Sequence, residues 1–206
     1  EGWFYVQDPS TLLAVPELDP QPDERILDLC AAPGGKTTFL AQLTENKGQI
    51  AGGDISEERL KMLRENCQRL GVTCVTTTLT SELEKAQSDI KSKITNQKFD
   101  KVLLDAPCSN SGVMRRRVDL RWRIQPEEIE RLRATQLDLL CQAAAFLKPA
   151  GILVYSTCSL EPEENSDVIS RFLAGHLNFK LERQRELLPF ADGVDGAYVA
   201  RLQAAH

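Results

Sequence analysis

Two hydrophobic periods alternate along this chain, and that alternation limits the fold more than any other feature. Short apolar runs end in loops of small or acidic residues, and each is followed by a stretch with a helical repeat. "RILDLC" (25–30) reads as a buried strand and "TTFLAQLTEN" (37–46) as a helix stopped by Gly48. "QIAGGD" (49–54) is a second strand. Ser56 then caps a helix whose first turn carries Glu57 and Glu58, where carboxylates complement the helix dipole. Leu60, Leu63, Cys67 and Leu70 give that helix one apolar face, and Gly71 closes it. "TCVTTT" (73–78) is β-branched and strand-like, "FDKVLLDAP" (99–107) is a strand entering a proline-stopped loop, and "GILVYSTC" (151–158) is a fifth strand. Pro126, followed by Glu127 and Glu128, opens a long helix reaching about Leu147. "PEENSDVISRFLAG" (162–175) reads as another helix, and "FKLERQ" and "AYVARL" as strands at a sheet edge. The polar stretch 82–98 has no assignable boundaries, and 108–125 reads as loop.

Strand and helix alternate without repeats or low-complexity linkers, so the expectation is an α/β fold. One domain spans 1–206, with a mostly parallel sheet and helices on both faces. In such sheets ligands bind outside the carboxyl ends of the strands. The three unusual loops, 30–36, 105–125 and 157–162, all follow strands and should meet at one edge.

The first of these, "CAAPGGKT", imitates the end of a phosphate-binding loop. That loop needs a glycine five residues before the second, and here Cys30 stands there, so the match fails. The G-x-G-x-x-G fingerprint is also missing. What remains is an acidic strand end at Asp28, a small-residue turn that lets a ligand approach the backbone, and Asp54 about 20 residues past the glycines. Asp54 is where a ribose-binding acid sits in nucleotide-binding α/β folds. A nucleoside cofactor without a triphosphate fits, and S-adenosylmethionine is the natural candidate. The plain alternative is a tight turn followed by a helix cap.

The totals exclude several classes. Net charge is −5, so nucleic-acid binding must rest on a local patch. No run approaches a membrane span, and no basic-then-apolar leader opens the chain, which points to the cytoplasm. Glu1-Gly2-Trp3, without an initiator Met, reads as the interior of something longer. Six cysteines form no C-x-x-C pair, so no metal site is expected. Only two histidines are present, His176 and His206, which turns attention to thiols.

"DAPCSNSG" (105–112) and "YSTCSLEPEEN" (155–165) each place a cysteine just past a strand, among Ser, Asn, Pro and Gly. Buried cysteines inside elements are usually small hydrophobes, a reading that suits Cys67, Cys74 and Cys141 better than Cys108 and Cys158. A methyltransferase with a nucleophilic thiol has an evident target in carbon 5 of a pyrimidine. That carbon becomes nucleophilic only after a thiolate adds at carbon 6. The chemistry needs a nucleophile, an acid near the ring nitrogen and a base, roles that Asp105, Cys108 and Cys158 could fill without histidine. The residues alone leave open which cysteine attacks.

"DLCAAPGGKT", "DAPCSNSGVMRR" and "YSTCSLEPEEN", preceded by "GWFYVQDPST", closely resemble the RNA 5-methylcytosine methyltransferases of the NOL1/NOP2/Sun family. The overall texture is most similar to their bacterial Sun-type branch, which acts on small-subunit ribosomal RNA. The resemblance implies a Rossmann-like class I S-adenosylmethionine-dependent fold with a seven-stranded sheet. It makes Cys158 the nucleophile and Cys108 the aid to product release, and brings Asp105 against both the cytosine ring and the cofactor. Cys30, Ala31, Ala32, Pro33, Gly34, Gly35, Lys36 and Asp54 would hold S-adenosylmethionine. The family's acid after the third strand is replaced here by Thr80, with Ser81 and Glu82 as substitutes within reach. Sun-type enzymes also carry an N-terminal helical RNA-binding domain that these 206 residues do not include.

"MRRRVDLRWR" (114–123) sets Arg115, Arg116, Arg117, Arg121 and Arg123 around Trp122. Arginines pair with phosphates and an aromatic stacks on a splayed base, so an unstacked cytosine in an RNA loop or bulge is the expected target of a monomeric protein. A solvated charged loop is the bland alternative. Three rival functions remain at this stage: a transfer RNA methyltransferase, a methyltransferase for small molecules or proteins, and a silent RNA-binding or assembly domain.

Overall fold

The computed structural model describes residue 2, residues 4–88 and residues 98–205. Seven strands form one sheet: β1 Arg25–Asp28, β2 Gln49–Asp54, β3 Val75–Leu79, β4 Phe99–Asp105, β5 Leu147–Thr157, β6 Phe179–Leu187 and β7 Ala197–Ala204. Their order is β3-β2-β1-β4-β5-β7-β6, with β1 to β5 parallel and β7 antiparallel to both neighbours. The helices are α1 Ala14–Leu18, α2 Gly35–Leu43, α3 Glu57–Arg69, α4 Thr80–Ser88, α5 Leu120–Arg123, α6 Pro126–Ala145, α7 Ser166–Gly175 and α8 Pro189–Asp192.

The two-residue period of the strands sorts the core into two layers. Leu27, Leu104 and Tyr155 face one side, against Leu140 and Ala143 of α6 and Val168 and Phe172 of α7. Their neighbours Ile26, Leu103 and Val154 face the other, against Val15 and Leu18 of α1 and Leu40 and Ala41 of α2. Central strands buried on both faces read as continuous apolar runs, as "RIL" and "KVLL" do. β6 closes the sheet, and its exposed Lys180, Glu182, Arg183 and Glu186 discourage pairing with another chain.

The expected alternation and sheet are present, with differences at the edges. β7, expected at the sheet edge, is interior, because β6 pairs outside it. The helix read over 162–175 is broken: a 3-10 turn at Pro162–Glu164 is separated from α7 by Asn165, whose side chain bonds Thr157 Oγ1 and Ser159 O. α1 was not foreseen. Part of the unplaced stretch, up to Ser88, is α4, while 89–97 lie outside the described residues, as does Trp3 of the quoted opening segment. Within 108–125, a 3-10 turn at Ser111–Val113 and α5 interrupt the loop.

β1 stands between β2, reached by one crossover, and β4, reached by the opposite one. A crevice opens where crossovers diverge, at the carboxyl ends of β1 and β4.

Candidate active site

The loop after β1 is tied to β2 and α3 through its backbone. Ala31 N–H donates to Gly53 O (2.9 Å) and Ala32 N–H to Asp54 Oδ2 (3.1 Å), while Asn66 Nδ2 donates to Pro33 O (2.9 Å). Arg59 spans the same junction, donating to Asp54 Oδ1 (2.7 Å) and to Ala32 O (2.9 Å). Asp54 is therefore occupied in shaping the loop as well as facing the crevice. Gly34 begins α2 at φ 111°, a conformation that favours glycine. Gly35 is required differently: an added Cβ would lie 2.8 Å from Gln7 Oε1 and 2.9 Å from the Tyr5 ring, so it makes room for the N-terminal segment.

Helix α2 then aims two side chains at carboxylates. Lys36 Nζ meets Asp105 Oδ2 at 2.7 Å, and Ser156 Oγ donates to Asp105 Oδ1 at 2.8 Å. Thr37 Oγ1 donates to Asp28 Oδ2 at 2.7 Å, but Asp28 Oδ1 is buried without a hydrogen-bond partner among the described residues. Burial, with Asp105 and Asp54 nearby, pushes the Asp28 carboxyl up to about 7 despite Thr37 and Lys36.

The loops after β4 and β5 bring the two cysteines together, with Cys108 Sγ 3.4 Å from Cys158 Sγ. Asn110, in the left-handed region at φ 62°, reaches both: its Nδ2 donates to Cys108 O (2.8 Å), and its Oδ1 accepts from the Cys158 thiol (3.0 Å). The two thiols have opposite leanings. The hydrogen bond from Cys108 holds the Cys158 thiol below its ordinary value, with help from the Lys36 charge, against burial and Asp105. The same contact and burial push Cys108 well above its own. As a thiolate Cys158 accepts from Cys108; as a thiol it donates to Asn110. Cys30 also lines the crevice, but burial and three surrounding carboxylates raise its thiol far above the ordinary range.

These groups surround a cavity of about 720 Å³, lined by Cys30, Ala32, Pro33, Lys36, Asp54, Asp105, Cys108 and Cys158 together with Thr80, Asn110, Arg117 and Tyr198. The three loops thus meet as expected. A smaller cavity of about 340 Å³ on the side of the N-terminal segment shares Cys30, Lys36, Asp105 and Cys158 and adds Asp28 and Ala31. Thr80 is 7% exposed, and its Oγ1 has no partner among the described residues.

That donor set suits S-adenosylmethionine. Asp28 Oδ1 can accept from an ammonium, Asp54 from ribose hydroxyls and Thr80 Oγ1 from an adenine amino group. Thr80 lies at the start of α4, at the end of β3 where the acid was missed, so it offers one oxygen there in place of a carboxylate.

The arginine cluster divides. Arg115 and Arg116, both about half exposed, bridge Asp8 and Asp195, two carboxylates 5% and 2% exposed. Two buried acids thus share their charge, and the pairs fasten the N-terminal segment to the loop before β7. Burial opposes ionisation of Asp8, yet the Ser10 N–H and hydroxyl, the Asp195 N–H and Arg116 hold it down at about 2. Arg117 lines both cavities, Trp122 is 79% exposed, and Arg123 pairs with nearby Asp119 (3.3 Å).

Several contributors escaped the sequence reading: Asn110, Arg59 and the buried quartet Ser109, Ser159, Gln136 and Glu164. One signal was available, the dipeptide Cys-Ser repeated at 108–109 and 158–159. Among the described residues no group of three or more His, Cys, Asp or Glu could hold a metal, and no helix is long and apolar enough to cross a membrane.

The family model for the 16S rRNA methyltransferase RsmB/F matches residues 15–203. The ribosomal RNA small subunit methyltransferase B of Photorhabdus laumondii is 40% identical over 98% of this chain and 47% of its own length. The probable ribosomal RNA small subunit methyltransferase B of Bacillus subtilis is 35% identical over 98% of this chain and 48% of its own. The crystal structure of NSun6 from Pyrococcus horikoshii with SFG superposes with a TM-score of 0.88 at 33% identity, covering 100% of this chain and 54% of that one. The chain spans about half the length of the curated relatives it matches. Since the model covers nearly all of the sequence and these likenesses run along its whole length, the chain belongs to the 16S rRNA methyltransferase RsmB/F family.

Proposed function

We propose that this chain is a catalytic domain that transfers a methyl group from S-adenosylmethionine to carbon 5 of a cytosine in RNA, and that the RNA is small-subunit ribosomal RNA. The observation that carries the reading is the thiol pair: two cysteines in contact, with opposite acidities, beside a lysine–aspartate pair in one cavity. The names of the relatives support the substrate, and the NSun6 structure with SFG, an S-adenosylmethionine analogue, supports the cofactor. The domain acts as a monomer in the cytoplasm, without a metal.

When bound, S-adenosylmethionine supplies an electrophilic methyl group. The protein's task is to make carbon 5 a nucleophile. The Cys158 thiolate forms a bond to carbon 6, and the carbon 5–carbon 6 π electrons move to carbon 5, which would take the methyl as the methyl–sulfonium bond breaks and its electron pair stays on the departing thioether sulfur. Asp105, held from both sides by Lys36 and Ser156, faces the ring nitrogen as an ion pair with Lys36, whose ammonium offsets the negative charge that collects there. The carbon 5 proton then passes to water in the open cavity, its bonding electrons rebuild the double bond, and the sulfur departs from carbon 6 with its own pair. Cys108, next to that sulfur, assists this release. Arg117 at the cavity mouth, with Arg121, Trp122 and Arg123 beyond it, holds the RNA strand.

The test is methyl transfer from labelled cofactor to small-subunit ribosomal RNA, with product mapped by bisulfite sequencing. Label at one cytosine carbon 5 is expected. Label in transfer RNA alone would replace the substrate, and label outside cytosine would overturn the reading.

A further inference from the structure

The two reactive loops share one fastening, and it lies behind the cavity. Ser109 follows Cys108 and Ser159 follows Cys158, and the side chains of both serines donate to the carboxylate of Glu164. Ser109 N–H reaches Glu164 Oε1 at 2.9 Å and Gln136 Nε2 reaches the same oxygen at 3.0 Å. Four donors thus converge on two oxygens, about the number a carboxylate can accept. Glu164 and Ser159 are 0% exposed and Ser109 is 6% exposed, so water does not compete. Gln136 also donates to Pro107 O (2.9 Å), fixing the approach to Cys108 from α6. Ser111 completes the clasp, meeting Ser159 Oγ at 3.2 Å and accepting from Leu160 N–H at 2.8 Å.

We infer that Glu164 is a positioning residue that sets the distance between the Cys108 and Cys158 thiols by pinning the residue after each cysteine to one carboxylate. It touches neither sulfur. The inference rests on the reading of the two cysteines as the reacting groups, and it adds the group that makes them a pair. Cys108 and Cys158 are 50 residues apart in sequence, on loops that leave the paired strands β4 and β5. Backbone bonds such as Gly112 N–H to Cys158 O (3.0 Å) hold the loops side by side, and Glu164 adds a side-chain tie at the residue after each cysteine, where the thiol separation is set. Hydrogen bonds to a charged group are the stronger kind and are directional, which is what such an anchor needs.

A probe that needs both sulfurs at close range reads this separation directly. Phenylarsine oxide forms two sulfur–arsenic bonds with a thiol pair and releases water. Protection of Cys108 and Cys158 from iodoacetamide by the arsenical, followed peptide by peptide in the full chain, gives its affinity for this pair. Glu164→Gln keeps the shape but turns one acceptor into a donor facing donors. It should weaken arsenical binding roughly tenfold, the equivalent of one charge-assisted hydrogen bond. It should also lower kcat for methyl transfer and leave the KM for S-adenosylmethionine within about twofold. Tyr155→Phe removes a 2.6 Å hydrogen bond to the backbone oxygen of Glu164 and leaves the carboxylate in place, so it should bind the arsenical like wild type. If Glu164→Gln does not fold, Ser109→Ala with Ser159→Ala removes the same hydroxyl bonds from the loop side and should show the same loss.

Wild-type arsenical affinity in a folded Glu164→Gln, or in the serine double variant, would overturn the inference and leave the carboxylate a packing feature. The expected arsenical loss in a chain whose wild type methylates no RNA would uphold the positioning role and sink the proposed reaction instead.

Discussion

Asp28 and Glu164 are both buried carboxylates at the carboxyl edge of the sheet, yet they are treated in opposite ways. Glu164 has donors on both oxygens, three from the loops that carry the thiols and one, Gln136, from α6 behind them. Asp28 has one hydroxyl on one oxygen and, among the described residues, nothing on the other, and burial, with two further carboxylates nearby, pushes it up to about 7. Thr80 Oγ1, on the same side of the cavity as Asp54, is likewise unpartnered. A protein tolerates a buried unpaired oxygen when a ligand meets it, because the cost of leaving it unmet is otherwise large. The thiol end of the site is built from the chain itself, and under the proposed function the cofactor would complete the other end.

The comparison can be broken first at Lys36, which joins the two ends by neutralising Asp105 and biasing Cys158 toward the thiolate. Lys36→Met should lower methyl transfer on the order of 10²- to 10³-fold, the range for losing one preorganised electrostatic partner. It should also move the pH midpoint of Cys158 alkylation upward. An unchanged midpoint would detach Lys36 from the thiol.

Asp28 gives the next effect, through pH. If its carboxylate receives the cofactor's ammonium, a group titrating near 7 is roughly one-tenth ionised at pH 6, so S-adenosylmethionine should bind up to about tenfold more weakly at pH 6 than at pH 8. Asp28→Asn should flatten that dependence in a calorimetric titration. Stability should follow the opposite sign from Asp8. The fold retains a proton on Asp28 between about 4 and 7 that the unfolded chain has lost, so this group's contribution falls as pH rises through that window. Asp8, held at about 2, contributes stability that is lost as pH falls from about 4 toward 2. Asp28→Asn and Asp8→Asn should each remove their own limb of the melting-temperature profile.

The arginine segment divides in the same manner. Trp122→Ala should weaken RNA binding about tenfold, within the range for one lost base stack, and leave the melting temperature nearly unchanged. Arg115→Ala, which removes one of the two guanidinium groups shared by two buried acids, should act chiefly on melting temperature. Reversal of that pattern in a filter-binding assay run beside thermal melts would return Arg115 to the RNA surface.

The smallest effect is expected at Thr80. Thr80→Val removes an unpartnered hydroxyl, so stability should hold or rise slightly, while cofactor affinity falls by a few-fold, the usual net worth of one neutral hydrogen bond. Unaltered affinity would mean that the adenine amino group finds another acceptor.

What could be read in the sequence follows from how local each signal is. The apolar period of "RILDLC" and "KVLLD" and the cap at Ser56 depend on near neighbours, and those elements are present. So does the convergence of the three loops, which follows from strand polarity alone. The pairing of Arg115 and Arg116 with Asp8 and Asp195 was hidden because those acids lie 107 and 80 residues from Arg115. The break at Asn165 was hidden because the side chain that stops the helix bonds Thr157 and Ser159, outside the helical pattern. Glu164 looked like a first-turn acid, the commonest use of such a residue, and only the packing of α6 behind both loops gives it another.

The most direct test mixes the chain with S-adenosylmethionine and ribosomal RNA and separates wild type, Cys108→Ala and Cys158→Ala on a denaturing gel. The account expects Cys108→Ala to accumulate a slow-migrating covalent RNA adduct, and Cys158→Ala to form none and to lose methyl transfer. An adduct that builds up in Cys158→Ala and is absent from Cys108→Ala would make Cys108 the nucleophile and contradict the assignment of the two thiols.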